Sequence, residues 1–139
     1  MVGVLVALSA APARAARVKV FTAALSAAQE TPPTTSNGIG VGLFTFDEGS
    51  KMLCYGISYS RLDDNEVAAH IHGPAAALSP DPAPILFSLV AGNPKNGCVG
   101  PIVSGKQKKQ LKQGLFYVNI HSAKFLGGEI RGQLLPASR

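Results

Sequence analysis

Short runs of alternating apolar and polar residues, separated by glycine- and proline-containing turns, dominate the chain. The clearest run covers residues 39–47, where aliphatic side chains fall on one face and glycines and phenylalanines on the other. Alternation with a period of two is typical of a β-strand. A Glu-Gly-Ser turn over residues 48–50 leads into a second alternating run over 52–59. The two runs therefore predict a β-hairpin.

The same reasoning divides the rest of the chain into short elements. It predicts further strands over residues 17–25, 66–72, 85–90, 115–121 and 128–135, a loop over 91–100, and one helix over 104–113 that Gly114 closes. Seven or eight short strands with at most one helix are typical of an all-β, antiparallel Greek-key sandwich or barrel. A chain of 139 residues has room for one such domain.

The first 15 residues are typical of an export signal. An apolar run over residues 2–11 precedes Ala13-Arg14-Ala15, which fits a small-x-small cleavage site. No basic residue precedes the apolar run, which is unusual for such a signal. We predict a mature domain of residues 16–139 in the periplasm or outside the cell. The apolar run is too short to span a bilayer, and the mature chain contains no candidate transmembrane segment.

Export agrees with the cysteine content and the charge of the chain. Cys54 and Cys98 are the two cysteines, and an even number in an exported chain predicts a disulfide; two free thiols are the alternative. The net charge is +5, and part of it lies in the lysines of the predicted helix. A solvated helix face explains these lysines better than a surface for polyanions. Without interleaved aromatics or a recognisable motif, nucleic acid is not an expected partner.

The three histidines are the main candidates for chemistry. His70 and His72 are separated by one residue, so an extended strand projects both imidazoles from one face, and His121 ends another predicted strand. Three imidazoles with an open position suit a copper centre or a catalytic zinc site. Tyr117 and Asn119 share the face of His121 and are candidates for orienting the ligands. The structural alternative is that the histidines bond to backbone carbonyls at strand ends.

Three charged residues near the two ends of the domain allow two interpretations. Glu129 and Arg131 share one strand face, and Glu30 lies in the loop after the first strand. In the structural interpretation, which we favour, Arg131 pairs with Glu129 or Glu30 and holds the last strand in place, and Glu30 is a buried carboxylate that caps the amides of its loop. In the functional interpretation, Arg131 guides an anion to a catalytic site, while Glu129 is a fourth ligand or proton relay and Glu30 is an acid of the site.

Several motifs occur together in a fixed order along the chain. They are Phe21-Thr22-Ala23-Ala24-Leu25, Gln29-Glu30-Thr31-Pro32-Pro33, the glycine-rich strand 38–46, Ala69-His70-Ile71-His72-Gly73-Pro74, the segment 114–121 and the segment 127–134. This combination resembles a CHRD domain, the module named after chordin. The resemblance covers nearly all of the predicted mature chain and implies an extracytoplasmic β-sandwich. It implies no particular chemistry, and a single copy without cysteine-rich modules does not carry over growth-factor antagonism.

A weaker similarity links the histidine pattern to copper-zinc superoxide dismutases. Those enzymes combine a His-x-His strand, a later strand histidine, a disulfide and an arginine that guides the anion. Here only three histidines are present, so the bridging histidine and the zinc site have no counterpart. The pattern favours an exported protein with a three-histidine copper site, zinc being the alternative metal, and superoxide dismutase-like chemistry as its candidate activity. The alternative is a non-catalytic extracytoplasmic binding or structural module.

Overall fold

Most of the predicted strands are present, and they pair into one antiparallel sheet that curls into a nearly closed barrel. A computed structural model describes residues 18–80 and 82–137. The strands are β1 (Val18–Ser26), β2 (Ile39–Asp47), β3 (Leu53–Ser60), β4 (Glu66–His72), β5 (Ile85–Ser88), β6 (Lys95–Val99), β7 (Tyr117–Ser122), β8 (Ile130–Gln133) and β9 (Leu135–Pro136). They lie side by side in the order β5-β4-β7-β8-β1-β2-β3-β6, and β9 pairs with β1. The predicted all-β antiparallel fold is thereby confirmed.

The single short helix, α1 (Gly105–Lys112), begins and ends where the sequence predicts. The Ser104 hydroxyl accepts a hydrogen bond from the Gln107 backbone N–H at its start (3.4 Å). At its end Gly114 has a φ of 72°, and the Leu115 N–H donates back to the Gln110 carbonyl (3.0 Å). Glycine adopts this left-handed conformation without steric cost, so it terminates the helix here.

The prediction of a loop over residues 91–100 is wrong for its second half, because Lys95–Val99 forms β6. This segment has no apolar alternation, and its pairing with β3 makes it a strand. In that pairing Cys98 lies directly opposite Cys54, and the two form the predicted disulfide. The predicted export segment, residues 1–15, lies outside the described residues. Within them, no helix combines the length and apolar character needed to cross a membrane.

The core of the barrel is formed by the aromatic face of β2 and its neighbours. Phe44 and Phe46 are 1% and 0% exposed and pack with Phe21 of β1. Burying a phenylalanine side chain contributes roughly 1.5–3 kcal/mol, and its larger area explains why this face turns inward. The glycines of β2 make room for the rings, since a Cβ on Gly42 would lie 2.6 Å from a ring carbon of Phe44. The aliphatic face of β2 consequently points out of the barrel.

A buried ion pair bridges the open seam of the barrel. The Lys95 ammonium of β6 bonds to the Glu66 carboxylate of β4, and both side chains are nearly inaccessible (0% and 8% exposed). The Tyr59 hydroxyl of β3 donates to the second oxygen of Glu66 (2.5 Å). No backbone ladder joins β4 to β6 in the described sheet. These side chains therefore connect two strands that the backbone leaves apart.

We expect Lys95→Met to lower the free energy of unfolding by about 3–5 kcal/mol, because it leaves the Glu66 carboxylate buried without its counter-ion. Urea denaturation measures the change. The double variant Lys95→Met/Glu66→Gln removes both charges and should recover at least about half of the loss. A single variant that loses less than about 1 kcal/mol would show that the pair does not stabilise the seam.

Candidate metal centre

The outward faces of β4, β7 and β8 form one polar surface on the barrel. Antiparallel pairing places His70 opposite Asn119, and Asn119 opposite Arg131. The next row pairs His72 with Tyr117. The residues between these positions belong to the hydrophobic core, among them Ile71, Val118 and Ile120. Burial of these aliphatic side chains thus turns the polar ones outward on all three strands.

This register brings the three histidines together. His121 lies opposite Ala68, diagonally across from His70 on the same face. As a result, His70 Nδ1 lies 3.0 Å from His121 Nε2. One potential ligand nitrogen from each of the three rings lies within 4.8 Å of the others. The pairing of β4 with β7 therefore brings His72 and His121 together, although they are far apart in the sequence.

Backbone carbonyls orient two of the three rings. His72 Nδ1 lies 2.9 Å from the carbonyl oxygen of Ala83, and His121 Nδ1 lies 2.9 Å from that of Leu126. A carbonyl oxygen only accepts, so each Nδ1 carries the proton and donates it. In a neutral His72 ring, Nε2 then holds the lone pair that a metal ion needs. At His121 the Asn119 amide oxygen lies near Nε2 and must move aside for a metal ion. Both carbonyls come from loops that fold over the polar face.

Burial keeps the rings in the form that binds metals. Desolvation lowers the pKa of His70 and of His72 below its ordinary value, and the neighbouring His121 lowers both further. The Ala83 hydrogen bond and the Asn119 amide act in the opposite direction on His72. Desolvation is the dominant cause for both rings, so burial favours their neutral form. Neutral imidazole is the state in which histidine coordinates transition metals.

The atoms present fit a metal ion. His72 Nε2 is buried and has no hydrogen-bond partner within normal geometry among the described residues. An imidazole nitrogen binds a metal at about 2.0–2.1 Å, so nitrogens around one tetrahedral ion lie roughly 3.3 Å apart. The His70–His121 pair already meets this spacing, and the widest separation of 4.8 Å must shorten. A change of roughly 1.5 Å is within reach of side-chain rotation.

Tyr117 is packed between a histidine and an arginine. Its ring is parallel to that of His72, at an interplanar angle of 3° and a centroid distance of 4.8 Å. The Arg131 guanidinium carbon lies 3.5 Å from the centre of the same ring. Because β7 lies between β4 and β8, the tyrosine separates the two groups. It immobilises His72 and holds a positive charge near the histidines without direct contact.

Glu30 and Asn119 form a buried layer behind His121. Asn119 Oδ1 lies 3.1 Å from His121 Nε2. Burial raises the pKa of Glu30 to about 7, although Arg131, the Thr31 N–H and the Asn119 amide all lower it. The carboxylate is packed so closely against Gly128 that a Cβ there would lie 2.4 Å from Oε1. Glu30 is thus a carboxyl group that changes charge near neutral pH beside the histidine cluster.

Glu129 and Arg131 make separate contacts. The Glu129 carboxylate accepts from the Ser36 hydroxyl (2.5 Å) and the Asp63 N–H (2.6 Å). Arg131 is 2% exposed and donates to the Thr31 hydroxyl (3.2 Å) and the Ala76 carbonyl (3.4 Å). A Glu129–Arg131 pair is not among the ion pairs of the described residues. The predicted Glu30–Arg131 ion pair is likewise not among them, although the positive charge of Arg131 lowers the pKa of Glu30.

Sequence reasoning missed the groups that orient the site from loops. Ala83 and Leu126 act through backbone carbonyls, and no side-chain pattern identifies such a role. Gln133 was also missed; its amide donates to the Ala75 carbonyl (2.6 Å) and to the Gly114 carbonyl (2.8 Å). The double glycine at 127–128 was a usable signal, because the φ of Gly128 is 124°, a conformation that favours glycine.

One family model matches the part of the chain that contains the whole polar face. A family model described as the CHRD domain matches residues 21–134. The matched segment runs from within β1 to just after β8, so it includes all three histidines and both cysteines. The resemblance predicted from the motifs is confirmed. Comparisons with curated proteins and with solved structures gave no significant match.

We expect the contribution of Glu30 to the stability of the metal-free protein to be lost as pH rises from the ordinary glutamate pKa of 4.5 to about 7, whereas the lowered pKa values of His70 and His72 act in the opposite direction. In this window the folded state keeps a proton on Glu30 that the unfolded state has released, so deprotonation opposes folding. Glu30→Gln removes the effect and should be more stable than wild type above pH 7 by about 1–3 kcal/mol. Urea denaturation at about pH 5 and about pH 8, with a chelator present, measures the difference. Parallel pH profiles for the two proteins would contradict it.

Proposed function

Because the chain belongs to the CHRD domain family, we propose that it is an exported domain that binds one transition-metal ion through His70, His72 and His121. The observation that carries the proposal is the convergence of three imidazoles, one of which keeps a buried, unpaired Nε2. The disulfide between β3 and β6 supports export to the periplasm or beyond, where such bonds persist. The assignment of residues 1–15 as an export signal is also part of this proposal.

Copper is the favoured metal, with zinc as the alternative. The donor set is three imidazole nitrogens, which both metals accept. For a given set of nitrogen ligands, copper(II) binds more tightly than zinc. The site also leaves the ring of His70 partly exposed, so one side of the cluster stays accessible to a small molecule. An accessible side distinguishes a reactive centre from a closed structural one.

A superoxide dismutase-like activity is the chemistry that we propose for a copper-loaded site. Bound copper supplies one-electron redox chemistry. The protein contributes the orientation of the rings through Ala83 and Leu126, and a positive potential from Arg131. Arg131 is buried behind Tyr117, so it acts on an approaching anion through its field and not by contact.

The second candidate function is a non-catalytic binding or structural module outside the cytoplasm. The observation that favours it is that His72 and His121 anchor two loops to the sheet through Ala83 and Leu126. In this case the histidines stabilise the polar face of the barrel, and any metal bound there has a structural role. Loop anchoring and metal binding use different nitrogens of the same rings, so they can be tested separately.

We expect the wild-type protein to bind one Cu(II) per chain and His72→Asn to bind it at least about 100-fold more weakly. Asparagine places an amide nitrogen near the position of Nδ1, so it keeps the donor to Ala83 and removes Nε2. The unfolding temperature of the metal-free variant should therefore stay close to that of wild type. Calorimetric titration and thermal unfolding measure the two effects. Equal copper affinity in wild type and variant would overturn the metal site, and an unstable metal-free variant would favour the structural function.

We expect the copper-loaded protein to remove superoxide faster than the same concentration of free copper ion. The rate should fall as ionic strength rises, because salt screens the attraction between Arg131 and the anion. Stopped-flow measurement of superoxide decay at several salt concentrations tests both points, with the zinc-loaded protein as the redox-inactive control. A rate no higher than that of free copper would leave a non-catalytic role for the bound metal.

A further inference from the structure

The outward face of β1, β2 and β3 is apolar, and no described residue covers it; it lies on the part of the barrel away from the histidine strands. The central strand, β2, exposes Ile39, Val41 and Leu43 at 49%, 63% and 54%. Val20 of β1 and Leu135 of β9 extend this surface. A soluble protein rarely presents a contiguous aliphatic face of this kind without a partner. We propose that its partner is a second copy of this chain.

The shape of the face is self-complementary. In the pairing of β2 with β3, Val41 lies opposite Ser58 and Leu43 opposite Gly56. The β2 side chains form a ridge, and the small side chains of β3 leave a trough directly beside it. The trough widens into shallow depressions on either side of Val41. A two-fold axis between ridge and trough places the ridge of each copy in the trough of the other, which is the isologous contact of a symmetric dimer.

The electrostatics of the face also suit a second copy. The chain carries a net charge of +5, so most contacts between two copies bring like charges together. The outward positions of β1, β2 and β3 are aliphatic, hydroxyl-bearing, cysteine or glycine, apart from Asp47 at the end of β2. Pairing through this face therefore buries no lysine or arginine of these strands. Charged side chains are the usual means of preventing such contacts, and here they are lacking.

The area of the face sets the strength of the contact. Three strands about 4.8 Å apart, with about 3.3 Å per residue, present roughly 400 Å² per copy before side-chain relief is counted. A stable dimer buries roughly 800 Å² per partner. The expected dimer is therefore weak, with a dissociation constant in the range of about 10–100 μM.

Sedimentation velocity over about 5–500 μM protein tests the proposal, with a chelator present so that metal bridging makes no contribution. The wild-type weight-average mass should rise from one chain towards two across this range. Val41→Lys places a charge on the ridge and should keep the chain monomeric. Gly56→Thr fills the trough without a clash, since a Cβ there meets nothing within 4 Å. It should abolish the dimer while leaving the thermal unfolding temperature unchanged or raised, because threonine favours a strand.

Val103→Lys is the matched control. Val103 is 69% exposed but lies between β6 and α1, outside the proposed interface, so this variant should dimerise like wild type. A wild-type chain that remains monomeric over the whole range would overturn the proposal, whether residues 1–17 or another protein covers the face. A dimer that persists equally in Val41→Lys and Gly56→Thr would also overturn it, because that dimer would use another surface.

Discussion

The antiparallel register of β4, β7 and β8 is the constraint on which the candidate metal centre depends. Burial of Ile71, Val118 and Ile120 in the core leaves the residues between them no alternative but to point outward. The hydrophobic effect therefore positions the histidines, although it acts on their neighbours. A slip of one residue in β4 would bury His70 and His72 and expose Ile71. Because that exchange is unfavourable, burial of the core residues fixes the register of the polar cluster.

Loops cover the polar side chains that the strands direct out of the barrel. Side chains that point out from a barrel are normally hydrated, whereas His72, Asn119 and Arg131 are almost fully buried. A buried polar group without a hydrogen bond costs about 1–3 kcal/mol. The covering loops offset this cost by offering backbone carbonyls to the side chains beneath them. Those contacts fix the loops, remove water from the face and select the protonated nitrogen of His72 and of His121.

The extent to which the sequence predicts this molecule differs between local and non-local features. Alternation located β2, β3 and β4 within one or two residues, and Ser104 and Gly114 located the helix, because these signals act on near neighbours in the chain. By contrast, β6 has almost no alternation and becomes a strand through its pairing with β3 and its disulfide. The inward direction of the phenylalanine face of β2 likewise depends on the rest of the core.

The candidate site likewise combines local features, which the sequence predicts, with non-local ones, which it does not. The shared face of His70 and His72 follows from their spacing, but the proximity of His121 depends on which strand pairs with β4, and the sequence contains no direct signal for that pairing. The seam pair of Lys95 and Glu66 was missed for the same reason. Lysine in a glycine-rich segment has the pattern of a surface residue, and only closure of the barrel buries it.

The structural and metal-binding roles of the histidines are compatible, because they involve different atoms. The hydrogen bonds to Ala83 and Leu126 use Nδ1 and account fully for the anchoring of the loops. They do not account for His72 Nε2, which is buried and makes no hydrogen bond of normal geometry among the described residues. If anchoring were the sole role, an asparagine at position 72 would supply the same donor without the cost of an unpaired nitrogen, about 1–3 kcal/mol. A metal ion at this nitrogen removes that cost, and the neighbouring lone-pair atoms of His70 and His121 are the partners that it requires.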